Sequence, residues 1–226
     1  MDTAENHQGV LERQELARDA WRLYAGAPIA LRLKQRLRVL VCPFEEALSI
    51  VPEGSSVLDL GCGSGLWLGL LAAHGRRIEG HGFDSCSVAI GLANGMAKRL
   101  GDTGSTLLFE CRDARSPWPD RTYDVVHMQD VIHHVPVPAQ RMVFDKACAS
   151  VRVGGVYIYR DMSARPLWRN AASRLHDVIV AREWIHPVPI ATVEGWAMEN
   201  GLEREVAKTV HRVVYAQDMR VFRKTR

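Results

Sequence analysis

The sequence predicts an α/β fold, a parallel β-sheet covered on both faces by helices. Three observations predict it. From about residue 55 onward, short apolar runs alternate with helical segments, which is the signature of parallel strands joined by crossover helices. The first of these runs enters a glycine-rich turn that opens a helix, in "VLDLGCGSG", residues 57–65. The end of the chain breaks the alternation. "LEREVAKTVH" and "RVVYAQDMRVFRK" read as two strands with too little chain between them for a crossover helix. An antiparallel pair is therefore expected to close the sheet.

Bulk properties bound what this fold serves. The chain has 226 residues, 47% hydrophobic and 24% charged, ordinary values for a globular protein able to bury a full core. A net charge of +3, from 29 basic and 26 acidic residues, is too mild to imply nucleic-acid binding by bulk charge alone. The five cysteines, Cys42, Cys62, Cys86, Cys111 and Cys148, form no CxxC pair, which argues against zinc-ribbon and thioredoxin chemistry. Their odd number and wide spacing suit free thiols in a reducing compartment. The opening "MDTAENHQGV" is polar and no run reaches roughly 18 uncharged apolar residues, so a cytoplasmic location is expected.

Two units follow along the chain. Residues 1–50 read as an N-terminal helical extension and residues 51–226 as the main domain. The first helix, from Leu11 to about Ala25, aligns Leu16, Ala20, Leu23 and Tyr24 near one face. Pro28 suits the first turn of a second helix, "PIALRLKQRLRVLV", and Pro43 that of a third, "PFEEAL". In the second helix Ile29, Leu33, Leu37 and Leu40 form a stripe. Arg32 and Arg36 flank it on one side, Lys34 and Arg38 on the other, and residues 28–41 hold no acid. The expectation is a lid that packs its apolar stripe over a pocket. The same pattern suits contact with a membrane surface.

In the main domain, "SSVLDLG", "RIEGHGFD", "STLLFECRD", "YDVVHMQD" and "GGVYIYRDM" read as successive strands. "GLWLGLLAAHG", "SVAIGLANGMAKRLG" and "PAQRMVFDKACASVR" read as helices between them, and "ATVEGWAMENG" as a later one. Gly75 is the expected stop of the first of these.

The chemistry concentrates at the ends of the strands. Asp59 precedes Gly61, Gly63 and Gly65, glycines that let a backbone turn sharply and approach a ligand closely. The dinucleotide fingerprint needs a further glycine where Leu66 stands, which weakens an NAD(P)-dependent oxidoreductase. Asp84 ends the second strand and suits the hydroxyls of a ribose, although it also suits a cap for the next helix. Asp113 follows the third strand and suits an exocyclic adenine amine; as a turn residue before Ser-Pro it needs no ligand.

Taken in order, "VLDLGCGSG", "FD", "RDA", "YDVVHMQDVIHHVP" and "VRVGGVYIY" resemble a class I S-adenosylmethionine-dependent methyltransferase over about residues 50–161. The resemblance implies a Rossmann-like sheet of seven strands with its last pair antiparallel, and S-adenosylmethionine as cofactor. It implies that Gly61, Cys62 and Gly63 line the methionine moiety, with Asp59 and Gly65 completing the loop. It further implies that Asp84 holds the ribose, with Ser85 beside it, that Asp113 and Ala114 read the adenine, and that Gln129 and Asp130 meet the amino-acid end. Ser85 and Cys86 stand where the family often carries a bulky apolar residue against the adenine. A narrower resemblance, in "CPFEEAL" and "SRLHDVIVARE", is to small bacterial methyltransferases of aryl polyene and related pigment pathways. It implies secondary metabolism and an aromatic or lipophilic acceptor, free or carried on an acyl carrier. A protein that binds the cofactor without turnover remains the alternative.

On the acceptor side, "HMQDVIHHVP" offers His133 and His134 as a general base, since histidine titrates near neutrality. Adjacent residues do not share a face, so at most one of them is expected to point inward. The plain alternative is a polar loop flanked by Pro136 and Pro138. The pair with Asp130 lacks a recognised ligand spacing, so no metal is expected. Residues 163–190 read as an insertion that caps the acceptor. Tyr24, Asp161, Trp168, His176 and Trp184 are the acceptor-side candidates. The N-P-P-Y motif of amino-methylating DNA enzymes is absent after the fourth strand, where "QDVIHH" stands, so a nucleic-acid acceptor is not expected.

Overall fold

The alternation of strands and helices resolves into a seven-stranded sheet, seen in a computed structural model that describes residues 12–42, 44–163, 186–212 and 215–226. The strands are β1 (Ser56–Leu60), β2 (Glu79–Asp84), β3 (Thr106–Cys111), β4 (Tyr123–Gln129), β5 (Val151–Met162), β6 (Leu202–Arg212) and β7 (Tyr215–Lys224). Their spatial order is β3-β2-β1-β4-β5-β7-β6. The first five run parallel, β7 is antiparallel to β5, and β6 is antiparallel to β7. The antiparallel ending expected from the sequence is present.

The described helices are α1 (Arg13–Leu23), α2 (Ile29–Val41), α3 (Phe44–Ile50), α4 (Leu66–Ala73), α5 (Ser87–Leu100), α6 (Val137–Ala149) and α7 (Ile190–Glu199). Strand alternation divides the core. Val57, Val125, Ile158, Met219 and Val221 face α1, α4 and α5. Leu58, Leu60, Val126, Met128, Tyr157, Tyr159 and Phe222 face α6 and α7. Because both faces are covered, the central strands are apolar on both sides rather than alternating. α4 is apolar all round and buried from Leu66 through Ala72, as a helix wedged between sheet and neighbours must be. It ends at His74, with Gly75 following at φ +74°, the left-handed residue expected there.

The N-terminal extension joins this core by its own residues. Leu16, Ala17, Ala20 and Leu23 of α1 are buried, as is Tyr24 at its C-cap. Tyr24, expected at the acceptor, is fully buried, and its hydroxyl donates to the Ser64 carbonyl at 2.7 Å. Burial raises its phenol well above the ordinary range, so it remains a donor. Tyr24 thereby fastens α1 to the glycine turn.

The packing expected of α2 is reversed. Gln35 and Val39 are buried and Leu31 is partly buried, whereas Ile29, Leu33 and Leu37 face outward. The Arg32–Trp21 contact fixes this rotation. The guanidinium lies 3.9 Å over the Trp21 ring and its Nε and Nη2 donate to the Trp21 carbonyl. With Arg32 turned toward α1, the stripe on the far side cannot reach the core. Trp168, His176, Trp184, Pro43 and most of the 163–190 insertion lie outside the described residues.

Tyr24→Phe removes one buried hydrogen bond and leaves the ring packing intact. Equilibrium urea unfolding should show a loss of about 1 kcal/mol.

Candidate active site

The sheet reverses its strand order between β1 and β4, and a cavity of about 680 Å³ opens at the carboxyl ends of the strands there. That size suits a cofactor or a small ligand. Of the residues singled out in the sequence, the cavity brings together Gly61, Asp84, Ser85, Asp113, Ala114, Asp130 and His134. Phe83, Val131, Val135 and Pro136 give it apolar walls, and His186 lines it as well.

The glycine turn owes its shape to close approach. Gly61 has φ +63°, and a Cβ there would meet Val131 Cγ2 at 2.4 Å. Gly63 has φ +54° and its N–H donates to Asp84 Oδ2 at 2.9 Å. Asp84 Oδ1 accepts from Cys86 N–H at 2.8 Å, a bond that shapes the turn before α5 without capping the helix, whose N-cap is Cys86, and each oxygen keeps a further lone pair. Gly65 starts α4, beneath the turn against Phe109. Cys62 does not present its thiol to the cavity: a Cβ on Gly82 would lie 2.9 Å from its Sγ, inside the core. Burial pushes that thiol far up, with Asp59 and Asp84 adding to the shift.

Asp59 also stays below the cavity. Its Oδ1 meets His127 Nδ1 at 2.7 Å, and the His127 ring stacks on Trp67 at 3.8 Å. The three form a buried brace under the turn.

On the other wall, Asp113 is held by Arg115, whose backbone N–H and guanidinium both donate to it. The Arg115 side-chain bond, then its backbone bond, lower the Asp113 carboxyl to about 2. The Ala114 carbonyl accepts from Trp118 Nε1 at 2.8 Å, and Trp118 meets Phe83 edge-on at 5.2 Å. Asp130 adopts φ +55° and accepts from Gln217 Nε2 at 3.0 Å. Gln129 is buried behind it, outside the cavity lining, with Oε1 lacking a donor.

The two adjacent histidines separate as expected. His133 is buried, and its Nδ1 is hydrogen-bonded to Asp161, which also accepts from Tyr159 and from Met162 N–H. Asp161 itself is buried behind the cavity. His134 turns outward into the cavity, its ring centroid 4.2 Å from that of His133. The 3-10 turn carrying both, Ile132–His134, is clamped by Gln140, whose Nε2 donates to the carbonyls of Ile132 and His186.

Sequence reading placed Arg38 only at the edge of the α2 stripe. Its Nη1 lies 3.7 Å from where a Cβ on Gly63 would sit, and it pairs with no described carboxylate. The pairing of Leu60 with Met128 brings Gln129 beside Gly61. Arg38 on one side and the Asp130 carboxylate in the cavity on the other thus flank the glycine turn, the complement that the carboxylate and ammonium of an amino acid require. The residues therefore fit the amino-acid end of S-adenosylmethionine. Arg38 was legible as a basic residue, but only the fold shows what it lies against.

The Methyltransferase domain family matches residues 33–205 of the chain. The chain belongs to this family of class I methyltransferases, enzymes whose methyl donor is S-adenosylmethionine. It is similar to the ubiquinone biosynthesis O-methyltransferase of Coxiella burnetii (strain Dugway 5J108-111), 26% identical over 202 residues, 83% of this chain and 78% of the relative. The protein of the same name from Paraburkholderia xenovorans is 32% identical over 142 residues, 62% of this chain and 56% of that one. In fold it is similar to the magnesium protoporphyrin IX methyltransferase of Synechocystis PCC 6803, solved with SAH bound. The TM-score is 0.67 at 17% identity, covering 92% of this chain and 94% of that one.

Two measurements check this geometry. Arg115→Ala should return the Asp113 carboxyl toward the ordinary range near 4 in a carbon-detected NMR titration. Because the folded value is depressed, the stability this pair adds is present above pH ~4 and is lost as pH falls toward the folded value. Iodoacetamide at pH 8 should modify the exposed Cys86 and Cys111 while sparing Cys62 and Cys148, whose thiols are buried and raised, Cys148 to about 12. Mass spectrometry with and without urea reads the difference.

Proposed function

We propose that the chain transfers the methyl group of S-adenosylmethionine to a hydroxyl of a small or carrier-linked acceptor, aromatic or lipophilic, in bacterial secondary metabolism. The observation that carries this reading is that the acidic strand ends, the glycine turn and the His134 imidazole share one cavity. An oxygen acceptor is favoured by relatives at 26% and 32% identity whose names give O-methylation. The partly apolar wall of Phe83, Val131 and Val135 supports a planar or greasy acceptor.

In this reading Asp84 accepts from the ribose hydroxyls with the lone pairs that Gly63 and Cys86 leave open, and Ser85 lies beside them. Asp113 and Ala114 read the adenine. Gly61, Cys62 and Gly63 act through their backbone, and Arg38 neutralises the methionine carboxylate. Asp130 receives the ammonium, and Gln129, expected at the same place, supports it from behind through its Nε2. Asp59 and Gly65 serve from beneath by holding the turn. Trp168, His176 and Trp184 remain acceptor-side candidates by their place in the sequence.

The cofactor supplies an electrophilic methyl group on a sulfonium, and the protein supplies position and a base. His134 takes the acceptor's hydroxyl proton as the oxygen attacks, and passes it to solvent after transfer. His133, tied to Asp161, packs behind the His134 ring and fixes its orientation.

Isothermal titration with S-adenosylmethionine comes first, and no binding at millimolar cofactor would end this reading. Asp84→Asn should weaken that binding at least tenfold, about 1.4 kcal/mol. Assayed with labelled donor on a panel of lipophilic phenols, His134→Ala should lower kcat by roughly 10²–10⁴ with cofactor Kd nearly unchanged. Full activity of His134→Ala would remove the base. Cofactor binding with no turnover on any acceptor would favour the non-catalytic alternative.

A further inference from the structure

α2 carries its apolar face outward. Ile29 is 67% exposed, Leu33 and Leu37 are each 48% exposed, and Leu40 and Val41 continue the surface at 36% and 39%. A helix normally turns such a face to the core and its polar face to water. Here the buried side holds Gln35, whose Oε1 lacks a donor, and the apolar stripe is at the surface. Other exposed apolar residues, such as Val88 and Val153, are scattered singly and need no explanation.

Charge around the stripe narrows what covers it. At 100° per residue, Ile29, Leu40, Leu33 and Leu37 span the centre of the exposed arc. Arg36 lies at one edge and Lys34 at the other, both exposed and neither paired with a described carboxylate. Arg32 and Arg38 follow further round, and residues 28–41 hold no Asp or Glu. An apolar centre with cationic edges is the arrangement that sinks into the acyl boundary of a bilayer while long basic side chains reach the headgroups. The segment 164–185 is a poor complement by charge, with Arg165, Arg169, Arg174 and Arg182 against Asp177 and Glu183. A second copy of α2 would set like charges against each other. No described helix is long and apolar enough to cross a membrane, so the contact is peripheral.

We infer that the outer face of α2 docks the protein on an anionic phospholipid surface, with Leu33 and Leu37 buried in lipid and Lys34 and Arg36 at the headgroups. Arg38, on the inner side of the same helix, lies beside Gly63, so the docked face and the glycine turn share one rigid element. The inference rests on α2 alone and stands whether or not the proposed acceptor is right.

Sedimentation of the full chain with vesicles tests it. At low salt the protein should pellet with phosphatidylglycerol–phosphatidylcholine vesicles and remain in solution with pure phosphatidylcholine. Leu33→Glu with Leu37→Glu should lower the partition at least tenfold, since both residues form helix well and the change touches only the exposed face. Lys34→Gln and Arg36→Gln should each lower it roughly fivefold. The melting temperature of the double glutamate variant should stay unchanged, and light scattering should give wild type and variant the same mass. Failure of the wild type to pellet with anionic vesicles overturns the inference, as does undiminished pelleting of the glutamate variant. A melting temperature lowered by several degrees would mean that the chain covers its own stripe. A dimer dispersed by the glutamates would mean that a second copy does. Either result overturns docking on lipid.

Discussion

The carboxylate of Asp84 accepts from Gly63 N–H and Cys86 N–H at once, and the site is built on that bridge. Gly61, Gly63 and Gly65 all hold positive φ, a conformation costly for side-chain-bearing residues and loosely determined for glycine. A turn of that kind needs an external restraint. Asp84 supplies it from β2, Tyr24 from α1 through the Ser64 carbonyl, and Val131 by steric contact with Gly61. Three elements remote in sequence thus fix one short loop. The loop in turn starts α4, whose wholly apolar surface fills the core beneath it.

Beneath the site two histidines are each paired with a carboxylate. Asp59 meets His127, and Asp161 meets His133. Buried charges survive when paired and hydrogen-bonded, and each pair also fixes a ring orientation. The first pair braces the floor under the glycine turn. The second holds the wall on which His134 sits. The methyl-transfer reading uses only His134 directly, yet that residue's position follows from Asp161 and from the Gln140 clamp on both sides of it.

Much of this was legible in the sequence because it is local. Strand alternation, the glycine turn, Gly75 after α4 and the antiparallel closing pair are all written in short-range patterns. Asp84 and Asp113 were legible because strand ends in such a sheet converge on one edge. The direction of a side chain was not. Asp59, Cys62 and Gln129 stand at the expected places on the backbone, yet their side chains turn beneath the cavity. Tyr24 and Asp161 were expected at the acceptor and are instead buried. Facing is set by packing partners remote in sequence, such as Ser64 for Tyr24. The rotation of α2 shows the same limit. Its stripe was readable to the residue, but the Arg32–Trp21 stack that turns the stripe outward is a tertiary contact.

The Gln140 clamp carries a consequence for how such a protein diversifies. One side chain on α6 ties the histidine turn to the backbone at His186, where the described chain resumes. The chain leaves the sheet after β5 and returns at a point already secured by a different helix. The two ends of that excursion, Met162 at the end of β5 and His186 on the return, are thus set by the sheet and by α6. Variation at Gln140 is therefore felt in two places at once, the histidine turn and the re-entry of the chain, although α6 contributes no residue to the lining of the cavity.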